Sequence, residues 1–168
     1  MRDPRKMLLM AVLMTALPLF NKLVAEGTNK TLEITLSVRK GTGDDPMVVL
    51  WLENNTNEFI RTVRMFSQSK KYHKDLLGWA FKSRPKEKVA DIDAVTGATI
   101  RWNKKATVSI PVQMGTRDLL DGTYILRIES RKDEGNHYRG FKIPLPAGYS
   151  GGMHEDEGYV KSVEIKVQ

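Results

Sequence analysis

Thr31-Leu32-Glu33-Ile34-Thr35-Leu36-Ser37-Val38-Arg39 alternates apolar and polar side chains without a break. Side chains of an extended strand point to opposite faces in turn. Leu32, Ile34, Leu36 and Val38 therefore face a core, while Glu33, Thr35, Ser37 and Arg39 meet water. The end of the chain repeats the device, with Val163, Ile165 and Val167 alternating with Glu164, Lys166 and Gln168. Between them, β-branched runs recur between turn signals: Met47 to Glu53, Phe59 to Phe66, Ala106 to Val112, Thr123 to Arg131 and Arg139 to Ile143. Asn54 to Asn57 closes one hairpin and Asp121-Gly122 marks another turn. The pattern predicts an all-β fold, a two-sheet antiparallel sandwich of about seven strands. At most one short helix is expected, between Lys70 and Trp79, laying Tyr72, Leu76, Leu77 and Trp79 over an open end of the sandwich. Ser83 to Lys88, charged and proline-bearing, reads as an exposed loop.

Ahead of the first strand, Arg2, Arg5 and Lys6 precede an apolar run from Met7 to Phe20, followed by Asn21 and Lys22. That order is the layout of a secretory signal helix. The run is shorter than the roughly 20 residues of a membrane span, and Pro18 breaks it near its end. Cleavage is expected after Ala25. Leu23 is larger than the small residue the peptidase prefers there, which leaves an uncleaved signal anchor as the alternative, and a buried core helix as a third. Residues 1–25 are thus expected to be a signal peptide or anchor, and 26–168 a single β-sandwich domain in the periplasm or on the extracytoplasmic side of the inner membrane.

The 168 residues carry a formal charge of +7. Four of the cations, Arg2, Arg5, Lys6 and Lys22, sit at the N-terminus, and the remainder, about +4, is spread along the chain, which argues for solubility and against a nucleic-acid footprint. The absence of cysteine excludes disulfides, thiolate metal sites, a thiol nucleophile and an acylated lipoprotein cysteine. No G-x-S-x-G elbow, H-E-x-x-H or phosphate-binding glycine loop occurs. His73, His137 and His154 lie far apart and read as surface residues. His154-Glu155-Asp156-Glu157, flanked by glycines, reads as a solvated run or a loop chelating a cation. No acid, base or nucleophile constellation points to an enzyme.

The segment with chemical content is Asp93-Ala94-Val95-Thr96-Gly97-Ala98-Thr99. It resembles the target motif of the FAD:protein FMN transferase, D-x-x-[ST]-G-A-T, at every specified position. The resemblance implies a covalent FMN esterified through its phosphate to Thr99. A threonine hydroxyl is a weak nucleophile that the transferase must activate, so the target needs an exposed hydroxyl with little bulk around it, and Gly97 and Ala98 supply that clearance. Asp93 and Thr96 are expected to hold the loop by accepting backbone N–H bonds. A tight Asx-type turn with no flavin is the other reading of the same residues. Arg101, Trp102, Lys104 and Lys105 could pair with a phosphate and cover a flavin ring; as a strand-start tryptophan and a solvated face they need no ligand.

From Met47 onward the chain is similar to a bacterial periplasmic family, domain of unknown function 2271. The similarity rests on Val49-Leu50-Trp51-Leu52-Glu53-Asn54, Phe59 to Val63, Leu76 to Trp79, the Asp93 to Thr99 string, Gly122-Thr123-Tyr124 with Leu126, and Glu129, Glu134 and Gly135. After the threonine this chain has Ile100-Arg101-Trp102-Asn103 in place of the family's Pro-Gly-bearing turn. The resemblance implies a fibronectin-like or immunoglobulin-like sandwich and, by association, extracytoplasmic electron-transfer or iron-related systems that include the flavin transferase. Two functions are expected from it: an FMN carrier serving the transferase and membrane or periplasmic redox proteins, or a non-catalytic envelope binding or assembly module.

Overall fold

A computed structural model describes residues 30–168. The signal segment, its cleavage site and the start of the domain at residue 26 lie outside those residues. In chain order the elements are β1 (Thr31–Val38), β2 (Met47–Asn54), β3 (Phe59–Phe66), a 3-10 helix (Lys70–Asp75), α1 (Leu77–Ser83), α2 (Val89–Ala94) and β4 (Thr96–Gly97). There follow β5 (Lys105–Pro111), β6 (Gln113–Met114), β7 (Arg117–Asp118), β8 (Tyr124–Arg131), β9 (His137–Tyr138), β10 (Lys142–Leu145), β11 (Gly151–Glu155) and β12 (Val160–Val167).

One sheet runs β11-β12-β1-β5, and a larger one runs β10-β8-β2-β3-β4 with β9 added to β8. All pairs are antiparallel except β3 with β4. The alternation in β1 is realised as expected: Leu32, Ile34, Leu36 and Val38 are buried, and Ile34 and Leu36 lie opposite Ile165 and Val163 of β12. These residues share one core with Val48, Leu50 and Leu52 of β2 and with Leu126 and Ile128 of β8, so both sheets contribute to it.

β2 is buried on its other face as well. Met47, Val49 and Trp51 form a second cluster with Phe59 and Met65 of β3, Leu76, Trp79 and Ala80 of the helical segment and Ile92 of α2. A strand covered on both faces shows a continuous apolar run and no alternation. The helical residues therefore cover the outer face of the larger sheet and not the open end expected for them, and Leu77 is half exposed instead of packed.

The expected ceiling of one short helix is also exceeded. The six-residue α2 is too short to show a helical period, and it begins where the Asp91 carboxylate accepts the backbone N–H of Lys88 at 3.2 Å. Among the described residues the seven expected strands become eight of four residues or more, with four two-residue strands besides. The strand expected at Arg139–Ile143 begins at Lys142, because Gly140 takes φ 51° where its backbone passes close to the Ile128 carbonyl. The glycine-flanked acidic run is no free loop through Glu155: Gly151–Glu155 pairs with β12 as an edge strand.

Candidate functional site

Thr99 is held from both sides. On its N-terminal side, the Val95 carbonyl accepts the Met65 N–H and the Gly97 carbonyl accepts the Ser67 N–H, each at 3.0 Å, which attaches β4 to the end of β3. On its C-terminal side, Ile100 is buried in the core shared by the two sheets. Ala98 is exposed and Thr99 half-buried, in a stretch without regular structure. The Thr99 Oγ1 accepts from Gln68 Nε2 at 3.4 Å, a long and weak hydrogen bond.

The Thr99 side chain borders a cleft of about 190 Å³ that Gln68, Ser67 and Ser69 from the segment after β3, Tyr72, Met47 and three carboxylates, Asp44, Asp45 and Asp133, also line. Asp45 accepts the backbone N–H of Trp102 at 3.0 Å. The cleft thus combines an aromatic ring and a thioether with hydroxyls, an amide and an acidic rim.

The other motif residues do different work from that expected. Asp93, in the last turn of α2, accepts no backbone N–H; its Oδ2 takes the Lys70 ammonium at 2.5 Å, tying α2 to the 3-10 helix, and its Oδ1 is buried without a partner. Thr96 holds the segment as a donor, its Oγ1 giving a 2.7 Å bond to the Ile92 carbonyl. Asp93 lies inside α2, where the Val95 N–H is already given to the Ile92 carbonyl, and Thr96, just past the helix, back-bonds to that same carbonyl. Asp93 thus closes no Asx turn, and a reading of the segment without flavin does not depend on one. A Cβ at Gly97 would lie 2.5 Å from Arg64 Nη2, the movable end of a long side chain.

Trp102 does not join Thr99. Its ring lies against Gly41, where a Cβ would come within 2.5 Å of it, meets the edge of Tyr159 at 5.7 Å between centroids, and donates its N–H to the Gly43 carbonyl at 3.2 Å. It lines a separate cleft with Arg39, Lys132, Tyr138 and Tyr159. Arg101, Lys104 and Lys105 are exposed and line neither cleft.

Sequence reasoning missed a buried polar layer between the larger sheet and the helices. Glu129 of β8, fully buried, accepts the N–H groups of Gly78 (3.1 Å) and Trp79 (2.7 Å) at the start of α1 and meets His137 Nε2. Glu53 of β2 accepts from Trp51 Nε1 at 2.9 Å and from the Lys82 ammonium at 2.6 Å. Glu87 takes both the N–H and the hydroxyl of Thr62, whose oxygen accepts from Trp79 Nε1 at 2.8 Å. Two histidines read as surface residues belong here. His137 pairs with Glu129, and His73 packs edge-on against Trp79, where burial lowers its pKa below 6.5. The only hint in the sequence was a glutamate set among apolar residues in two strands. Among the described residues no three His, Asp or Glu side chains are gathered for a metal ion.

A family model described as "Predicted periplasmic protein (DUF2271)" matches residues 29–162. No curated protein and no solved structure matches the chain.

Proposed function

As the chain belongs to the DUF2271 family of predicted periplasmic proteins, we propose that it is a covalent FMN carrier for electron transfer outside the cytoplasm, with Thr99 as the attachment residue. The observation that carries this reading is Thr99 itself. It ends a complete D-x-x-T-G-A-T string, its hydroxyl sits half-exposed at a cleft, its one side-chain partner among the described residues is weak, and its backbone is fixed on both sides.

The residues around Thr99 fit the group in kind. Tyr72 and Met47 offer an aromatic and a soft apolar surface for a ring, while Gln68, Ser67 and Ser69 offer donors and acceptors to its polar edge. The carboxylates of Asp44, Asp45 and Asp133 disfavour additional negative charge inside the cleft and so favour a phosphodiester held toward its mouth. In the transfer, the Thr99 oxygen attacks the FMN-side phosphorus of FAD, the P–O bond to AMP breaks, and the threonine proton leaves with the transferase's base. When bound, FMN supplies one- and two-electron redox chemistry, and the protein supplies position and electrostatics.

On this reading the chain is a substrate of the FAD:protein FMN transferase and a carrier between membrane or periplasmic redox proteins, not an enzyme. Its scaffold is a two-sheet antiparallel sandwich, a reading supported by the core to which both sheets contribute. The test is co-expression with the transferase: wild type gains about 438 Da and flavin absorption, and Thr99→Ala gains neither. Unmodified wild type beside a flavinylated control substrate would leave an envelope binding module in its place.

A further inference from the structure

The outer face of the helical layer carries three of the four exposed large apolar side chains among the described residues, and it is basic. Phe81 is 85% exposed, with Leu77 at 53% one turn before it on the same face of α1 and Val89 at 69% at the start of α2. Ala80 and Trp79 of α1 point the other way, into the second core. Phe81 therefore gives nothing to the fold that its position explains.

Cations surround it. From Lys70 to Lys88 the chain carries seven Lys and Arg residues against Asp75 and Glu87, and the Glu87 carboxylate is taken up by Thr62. Lys70 and Lys82 are paired with Asp93 and Glu53. Lys74, Arg84 and Arg139 form no ion pair among the described residues. These three line a hollow of about 490 Å³ with Leu77, Ala80 and Phe81. Lys74 and Arg84 also border the neighbouring hollow that reaches Val89. The surface from Phe81 to Val89 is thus continuous, with apolar side chains standing among unpaired cations.

We propose that this face docks on an anionic phospholipid surface bordering the periplasm, with Phe81 entering the headgroup boundary and Lys74, Arg84 and Arg139 meeting lipid phosphates. Charge complementarity selects this occupant, since cations near an anionic bilayer each strengthen attachment and an aromatic side chain supplies the interfacial anchor. Three exposed apolar side chains are too few to form the core of a stable protein–protein interface, which buries on the order of 1,000 Å² or more. The proposal is independent of the flavin reading and would hold with Thr99 unmodified.

Because the chain has no cysteine, a solvent-sensitive fluorophore on Leu77→Cys in the full-length protein reports this face alone, and one on Ser109→Cys, exposed in β5 of the other sheet, serves as the control. Vesicles containing phosphatidylglycerol should shift the Leu77→Cys emission to the blue, phosphatidylcholine vesicles should not, and high salt should reverse the shift. Phe81→Asp in the Leu77→Cys background should weaken the response to vesicles more than about tenfold, and Arg84→Gln about fivefold. The Ser109→Cys reporter should stay silent.

No shift at Leu77→Cys with anionic vesicles would overturn the proposal. So would equal shifts at both positions or with both lipids, the pattern of attachment through the N-terminal segment alone. A shift that grows with protein concentration before vesicles are added would assign the face to a second copy. A shift with polyglutamate and none with vesicles would assign it to an acidic protein.

Discussion

Glu129 joins the larger sheet to the helices that cover it, and replacing it should separate the two. Its buried carboxylate accepts two backbone N–H bonds at the start of α1 and meets His137. In Glu129→Ala both N–H groups lose their acceptor under a covered face, at about 1–3 kcal/mol for each. Little water can replace the carboxylate there, so a loss of about 4 kcal/mol is expected. Glu129→Gln keeps the volume and one carbonyl oxygen but turns an amide NH₂ toward the second N–H, and should lose about 2 kcal/mol. With a urea slope of about 2 kcal/mol per molar, the unfolding midpoint should fall by about 2 M for the alanine variant and about 1 M for the glutamine variant, at unchanged slope. Midpoints for both variants within about 0.3 M of wild type, or a glutamine variant less stable than the alanine one, would refute this account of the layer.

Trp79→Phe keeps the ring in the second core but removes the donor to Thr62, and the same urea assay should show a loss of about 1–2 kcal/mol. Gly151 has φ 105°, and a Cβ there would lie 2.3 Å from the Ile165 carbonyl oxygen; Gly151→Ala should detach β11, raising hydrogen exchange in β11 and at its β12 partners and lowering stability by about 2 kcal/mol or more. Burial lowers the His73 pKa from 6.5, so as pH falls below 6.5 the unfolded chain takes up the proton first and stability drops. Urea midpoints measured from neutral toward acid pH should decline less steeply in His73→Gln than in wild type.

The parts of the fold legible in the sequence were those with one dry face and one wet face. Leu32 to Val38 and Val163 to Val167 alternate cleanly because each strand has a single core to serve, and they pair with one another in register. Met47 to Leu52 carries no such alternation because Met47, Val49 and Trp51 are covered too. That continuous apolar run was the available sign of a second covered face. The helices that cover it are six or seven residues long, below the length at which a 3.6-residue period declares itself. Glu129 occupies a position that alternation with Leu126 and Ile128 assigns to a solvent-facing row, Glu53 ends a run with no alternation to place it, and residues from about 30 to 50 positions away in the chain cover both. At the site, Thr99 was legible as the end of a short string of small residues. Its cleft was not, since Asp45, Gln68, Tyr72 and Asp133 reach it from separate segments.

The central claim rests on one oxygen, Thr99 Oγ1. Intact mass and visible absorption of the protein from its native envelope, or co-expressed with a flavin transferase, test it most directly, with Thr99→Ala alongside. The account predicts an added mass of about 438 Da and a flavin spectrum in wild type, both absent from the variant. An unmodified mass in both proteins, under conditions that label a control substrate, would contradict it.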